Sequence, residues 1–314
     1  MPGLRLRPED KRAYQLVFSH ELLLRRILRW ELRGGFGALW YAQLGSYAGE
    51  IETRMRSERS KGLLDPFVSE LAYLDLSDLA DIVCGLQWDG VFAKIFATTL
   101  PKHLMRQGFR DVVAVRNKVA HFRPVLSSAS EDQFTKSFLE ACQRHYQLRL
   151  AAAVHLSGDP SKSGDQFGTP ELEALQILLA QQHLETVWEE YGKLEDIRAS
   201  GLSPGLGVVD RHLFFEIYGD GSFSGSRIGD WASKEKHAVT FVTVGRYANY
   251  VRAFMPLKCR AKDIAKAMRG LASAARLGAT TVWKKDNEVS DDFDFGAVEW
   301  LNGEAHNTLL GFVF

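Results

Sequence analysis

Three cysteines in 314 residues, Cys84, Cys142 and Cys259, lie far apart, which excludes a disulfide scaffold and a cysteine-based metal site. The odd count fits a reducing compartment, so a cytoplasmic protein is expected. No apolar run approaches the ~20 residues of a membrane span, and the N-terminus lacks the apolar core of a signal peptide. Net charge is absent as well. The 39 Lys and Arg balance the 39 Asp and Glu, which argues against a protein that coats nucleic acid non-specifically. There is no glycine-rich phosphate loop, internal repeat or low-complexity tract, and no His/Cys cluster at zinc spacing. His103, His145, His155 and His183 lack acidic or cysteine partners at ligand spacing, and surface positions are expected for them. What remains is an ordinary globular composition, 46% hydrophobic and 25% charged, on a chain long enough for two cores.

Hydrophobic spacing divides the chain. Residues 9–33 read as one helix with Tyr14, Val17, Phe18, Leu22, Ile27 and Leu28 on its apolar face, interrupted at Gly34-Gly35. A second helix is expected over 36–59. After Pro66, Ser77 is read as the N-cap of a helix carrying Leu79, Ile82 and Val83. A helix over 102–123 follows, then one over 131–156 with Phe134, Phe138, Cys142 and Tyr146 at helical intervals. Residues 157–164 are the clearest linker, 170–198 reads as one more helix, and 200–205 is a second boundary. Beyond 205 the pattern changes to strands over 211–218, 238–245, 280–284 and 309–314, with a helix over 263–277. The expectation is an all-α bundle over 1–157, a linker and connecting helix over 158–204, and a small α/β or α+β domain over 205–314.

Charge is unevenly placed along this frame. Residues 101–126 carry Lys102, Arg106, Arg110, Arg116, Lys118 and Arg123 against Asp111 alone, whereas 64–93 carry six acids and no base. Intramolecular pairing accounts for most such residues. The run Arg116-Asn117-Lys118-Val119-Ala120-His121-Phe122-Arg123-Pro124 concentrates an arginine, an amide and a histidine near the end of the helix, before a proline. Met105, Phe109 and Val112 form an apolar stripe that Arg116 and Val119 continue. An arginine on such a stripe needs a carboxylate, a phosphate or another subunit against its guanidinium. Glu21 and acids of the preceding helix are available carboxylates.

These residues resemble a known signature. Arg116-Asn117-Lys118-Val119-Ala120-His121 is similar to the RNxxAH form of the Arg-x(4–6)-His motif of HEPN domains, helical modules of RNA-cleaving toxins and abortive-infection proteins. His20-Glu21-Leu22-Leu23-Leu24-Arg25, Gly37-Ala38-Leu39-Trp40, and Tyr73 to Leu79 followed by Trp88 and Phe92 resemble further blocks of that family over about residues 10–130. The resemblance implies a homodimer whose Arg116 and His121 meet at one cleft. It also implies endoribonuclease chemistry without metal or cofactor, in a toxin or antiviral defence role. His121 would transfer protons, Arg116 would hold the scissile phosphate, and Asn117 would orient one of them. Lys118, Arg123 and Arg110 would contact RNA phosphates, and Glu21 and Arg25 would give structural support. The same dimer without turnover, a scaffold for RNA or a protein, is the alternative.

In the C-terminal part, Tyr218-Gly219-Asp220-Gly221-Ser222 with Trp231-Ala232 faintly resembles the first strand of RNase H folds. That resemblance implies Asp220, Asp263 and Asp286 as metal carboxylates, a weaker alternative activity. Too little chain follows Asp286 for the rest of that pattern, so turn and solvated acids are expected there. The domain is read as a sensor for a phage or cellular trigger, or as a substrate-recognition module.

Overall fold

A computed structural model describes residues 8–63, 69–97, 100–121, 135–142, 144, 169–194, 201–219, 223–244, 250–278, 298–301 and 312–313. The chain divides into two compact units, one of residues 1–31, 41–57 and 71–150 and the other of 32–40, 58–70 and 151–314.

The first unit is helical. Helix α1, Pro8–Phe36, runs without a break through the two glycines read as its end. Gly34, in the last turns of α1 that belong to the second unit, is needed for space: a Cβ there would come within 2.8 Å of the His212 ring of the same unit. Phe18, placed on the apolar face by its spacing, is 51% exposed. The expected second helix is divided in two. A 3-10 segment, Gly37–Leu44, precedes α2, Ser46–Ser60, and Gly45 between them has φ 61°, which glycine adopts without steric cost. Helix α3 is Leu76–Asp81, and its cap is Asp75 rather than Ser77. The Asp75 side chain accepts hydrogen bonds from the backbone N–H groups of Ser77 and Asp78, while Asp78 reaches back to the Asp75 N–H, a capping box. Two π-helical turns, Ile82–Leu86 and Trp88–Phe92, lead into α4, Ala93–Phe96.

Helix α5, Lys102–Ala120, carries the signature. Met105, Phe109 and Val112 are buried on one stripe, as their spacing requires. Phe109 packs edge-on to Phe138 of α6, residues 135–142, and against His20 of α1, with ring centroids 5.6 and 5.7 Å apart. Gly108 permits this approach, because a Cβ there would lie 2.3 Å from the Phe138 ring.

The second unit is helical and antiparallel-stranded. The stretch read as one helix over 170–198 is two, α7 at Thr169–Gln181 and α8 at Glu185–Lys193, separated at His183 with φ 56°. Their Leu175, Leu179, Leu184 and Val187 join the core of this unit, so the connecting helix is part of a domain. Four antiparallel strands form its sheet: β1 Leu202–Val209, β2 His212–Gly219, β3 Phe241–Val244 and β4 Tyr250–Pro256, in the order β1-β2-β4-β3. Helix α9, Gly225–Lys234, links β2 to β3, and α10, Ala261–Gly278, follows β4. Two short strands, β5 Val298–Leu301 and β6 Phe312–Val313, extend the sheet beyond β3. The 280–284 strand lies outside the described residues.

The two faces of the sheet differ chemically. Leu206, Leu213, Phe215, Ile217, Val251, Ala253 and Met255 point to the apolar core with the helices. The opposite face holds a buried ion pair, in which Arg252 Nε and Nη2 donate to Glu216 Oε2 at 2.8 and 2.6 Å, both side chains 1% exposed. The guanidinium also lies over the rings of Phe214 and Tyr250, 4.7 and 5.4 Å from their centroids. Gly205 of β1, which pairs with Glu216, makes room for this carboxylate: a Cβ would sit 2.7 Å from its Oε1.

Candidate functional site

The last turns of α5 set the site. Arg116 is half-buried, Asn117 and His121 are exposed, and Lys118 is half-buried. Arg116 Nη1 donates to Asn117 Oδ1 at 3.4 Å, and the His121 backbone N–H donates to the Asn117 carbonyl at 3.2 Å. Asn117 and His121 thus share a face, as a four-residue step on a helix demands. Arg116 does not share it. Five residues from His121, it stands about 140° away around the axis, on the continuation of the Met105–Phe109–Val112 stripe. One chain therefore presents the arginine and the histidine on different sides of one helix.

Among the described residues Arg116 makes no ion pair, and Asp75 is an acid that feels its charge from a distance. Burial pushes the Asp75 carboxyl up, but the Ser77 hydroxyl, the N–H groups of Asp78 and Ser77 and the positive charge of Arg116 together hold it below the usual carboxylate range. Glu21, the acid anticipated to pair with Arg116, is engaged by Arg25 one turn along α1. Arg25 also donates to the carbonyls of Leu71 at 3.0 Å and Leu74 at 2.8 Å, fixing the stretch that ends at Asp75. Arg25 thus ties Glu21 to the backbone that leads into Asp75. The sequence held a signal for Asp75, a carboxylate at the N-cap and another three residues later, which the neighbouring Ser77 obscured.

Arg110 is exposed one and a half turns before Arg116, and Arg123 lies outside the described residues. The acids grouped over 64–93 are partly used within the first unit: Asp78 faces Arg54 at 3.9 Å and Asp89 faces Lys102 at 3.7 Å. Buried cysteines offer no nucleophile, since burial pushes the Cys84 thiol up to about 12 and raises that of Cys259. His20 is sealed among aromatic rings, and burial lowers it to about 3, so it is neutral and structural.

No known family model, curated protein or solved structure matches this chain. The reading of the site therefore rests on its residues. In the second unit, Asp263 accepts from Arg260 Nε at 2.6 Å and Nη2 at 3.2 Å, an ion pair within one turn. Asp220 and Asp286 lie outside the described residues. Among the described residues no group of three or more His, Cys, Asp or Glu side chains is placed to hold a metal ion, and no helix is long and apolar enough to cross a membrane.

Proposed function

We propose that the chain is a metal-independent endoribonuclease of the HEPN type, acting through Arg116 and His121. The observation that carries this reading is the exposed Asn117–His121 pair ending a helix whose buried stripe leads to the half-buried Arg116. In the proposed reaction the RNA 2′-hydroxyl attacks the adjacent phosphorus and its proton passes to the His121 imidazole. The P–O5′ bond breaks, giving a 2′,3′-cyclic phosphate, and the leaving oxygen takes up a proton to become a 5′-hydroxyl. Imidazole suits both transfers because its ordinary pKa lies near neutrality. Arg116 stabilises the extra charge of the pentavalent phosphorane through its planar fork of donors.

The separation of Arg116 and His121 around α5 favours a cleft shared by two copies, each supplying the group that the other holds on its far side. The toxin or antiviral defence role that belongs to this proposal rests on the HEPN resemblance. The scaffold reading draws on the place of Arg116, half-buried on the Met105–Phe109–Val112 stripe, where packing alone accounts for it. Substituting His121 separates the two: a scaffold keeps its function in His121→Ala, and the enzyme loses cleavage while retaining RNA binding.

A further inference from the structure

The outer face of α5 carries a charge pattern that catalysis at its end does not require. His103, Arg106, Arg110, Ala114, Asn117 and His121 are all exposed. At about 100° per residue they fall within one stripe ~100° wide, rising about 27 Å from His103 to His121. Neither Arg106 nor Arg110 makes a hydrogen bond or ion pair among the described residues. The nearby acids are turned elsewhere: Asp89 faces Lys102, and Asp111 accepts from Gln107 Nε2 at 3.0 Å. The balanced net charge of the chain is thus locally unbalanced along this row.

Spacing narrows the ligand. Arg106 and Arg110 are one turn apart, about 6 Å, comparable with the separation of neighbouring phosphates along one nucleic-acid strand, so each can meet its own phosphate. Ala114 then leaves a turn without a long side chain, so a sugar and base can lie against the helix before reaching Asn117 and His121. We infer that this stripe is a phosphate track for a single RNA strand, held at Arg106 and Arg110 and led across Ala114 into the site. The inference rests on the ribonuclease reading for the site at which the track ends.

The test uses the full chain, an octanucleotide of uridine carrying fluorescein, and the dinucleotide UpA. In a His121→Ala background, adding Arg106→Gln and Arg110→Gln should weaken octamer binding roughly tenfold and reduce the slope of log affinity against log salt by about 1.4, ~0.7 per lost phosphate contact. With His121 intact, the double variant should raise KM for the octamer by a larger factor than KM for UpA, which is too short to reach Arg106. Octamer affinity and salt slope unchanged by the double variant overturn the track, and the ribonuclease reading survives if the parent still cleaves. Arginine-dependent binding without cleavage by the parent keeps the track and removes the ribonuclease. Equal loss of affinity for a uridine–adenine duplex would overturn the single-strand assignment.

Discussion

Asp75 caps α3 and its charge reaches Arg116 electrostatically, and one substitution separates the two. Asp75→Ala removes both and should cost ~1 kcal/mol of stability, the usual worth of such a cap, together with a fall in cleavage. Asp75→Asn keeps the cap oxygen but not the charge, so it should retain most of the stability and still lower activity. Urea unfolding beside a cleavage assay reads both quantities, and equal activity in Asp75→Asn and the parent would exclude the Asp75 charge from the reaction. His20 gives a second prediction at this scale. Its folded value of about 3 lies below the ordinary 6.5, so the unfolded chain binds the extra proton between these values. The contribution of neutral His20 is complete above about pH 6.5 and is lost as pH falls toward 3, at up to ~1.4 kcal/mol per pH unit. Unfolding measured from pH 7 to 5 should show this slope in the parent and a shallower one in His20→Leu. Identical slopes would place the titration elsewhere.

The helices were legible in the sequence where burial follows a single period, and obscure where backbone geometry or a neighbour intervenes. Met105, Phe109 and Val112 announced the buried stripe of α5 because one helix face meets one core. The break at His183 depends on a positive φ that no spacing reports. The start of strand β1 reads as a boundary because Ser200 to Gly205 have the composition of a linker. Its glycines are instead cut to the shape of β2, where Glu216 and Phe214 occupy the space their Cβ atoms would take. The residues of the candidate site were visible as a motif, but their separation around the helix and the role of Asp75 emerged only with the fold. Gly108 offers a test of the helix packing. Gly108→Ala drives a methyl group into the Phe138 ring and should destabilise the first unit by roughly 1–3 kcal/mol, despite the better helix propensity of alanine. A thermal melt at or above that of the parent would contradict the close approach of α5 and α6. In the second unit, Glu216→Ala strands the buried Arg252 guanidinium and should cost about 3–5 kcal/mol.

At the scale of the whole molecule, the chain comprises a helical unit in which α5 leads to an exposed Asn117–His121 pair, and a sheet-bearing unit with its own core. If two copies complete each other's cleft, mixing Arg116→Ala with His121→Ala should recover cleavage that neither variant shows alone. No recovery in a mixture shown to exchange subunits would contradict the shared cleft. The most direct measurement is RNA cleavage in excess EDTA by the parent and by His121→Ala, with analysis of the product ends. The account predicts chelator-resistant cleavage by the parent, 2′,3′-cyclic phosphate and 5′-hydroxyl ends, and none by the variant. Cleavage abolished by EDTA, or persisting in His121→Ala, would contradict it.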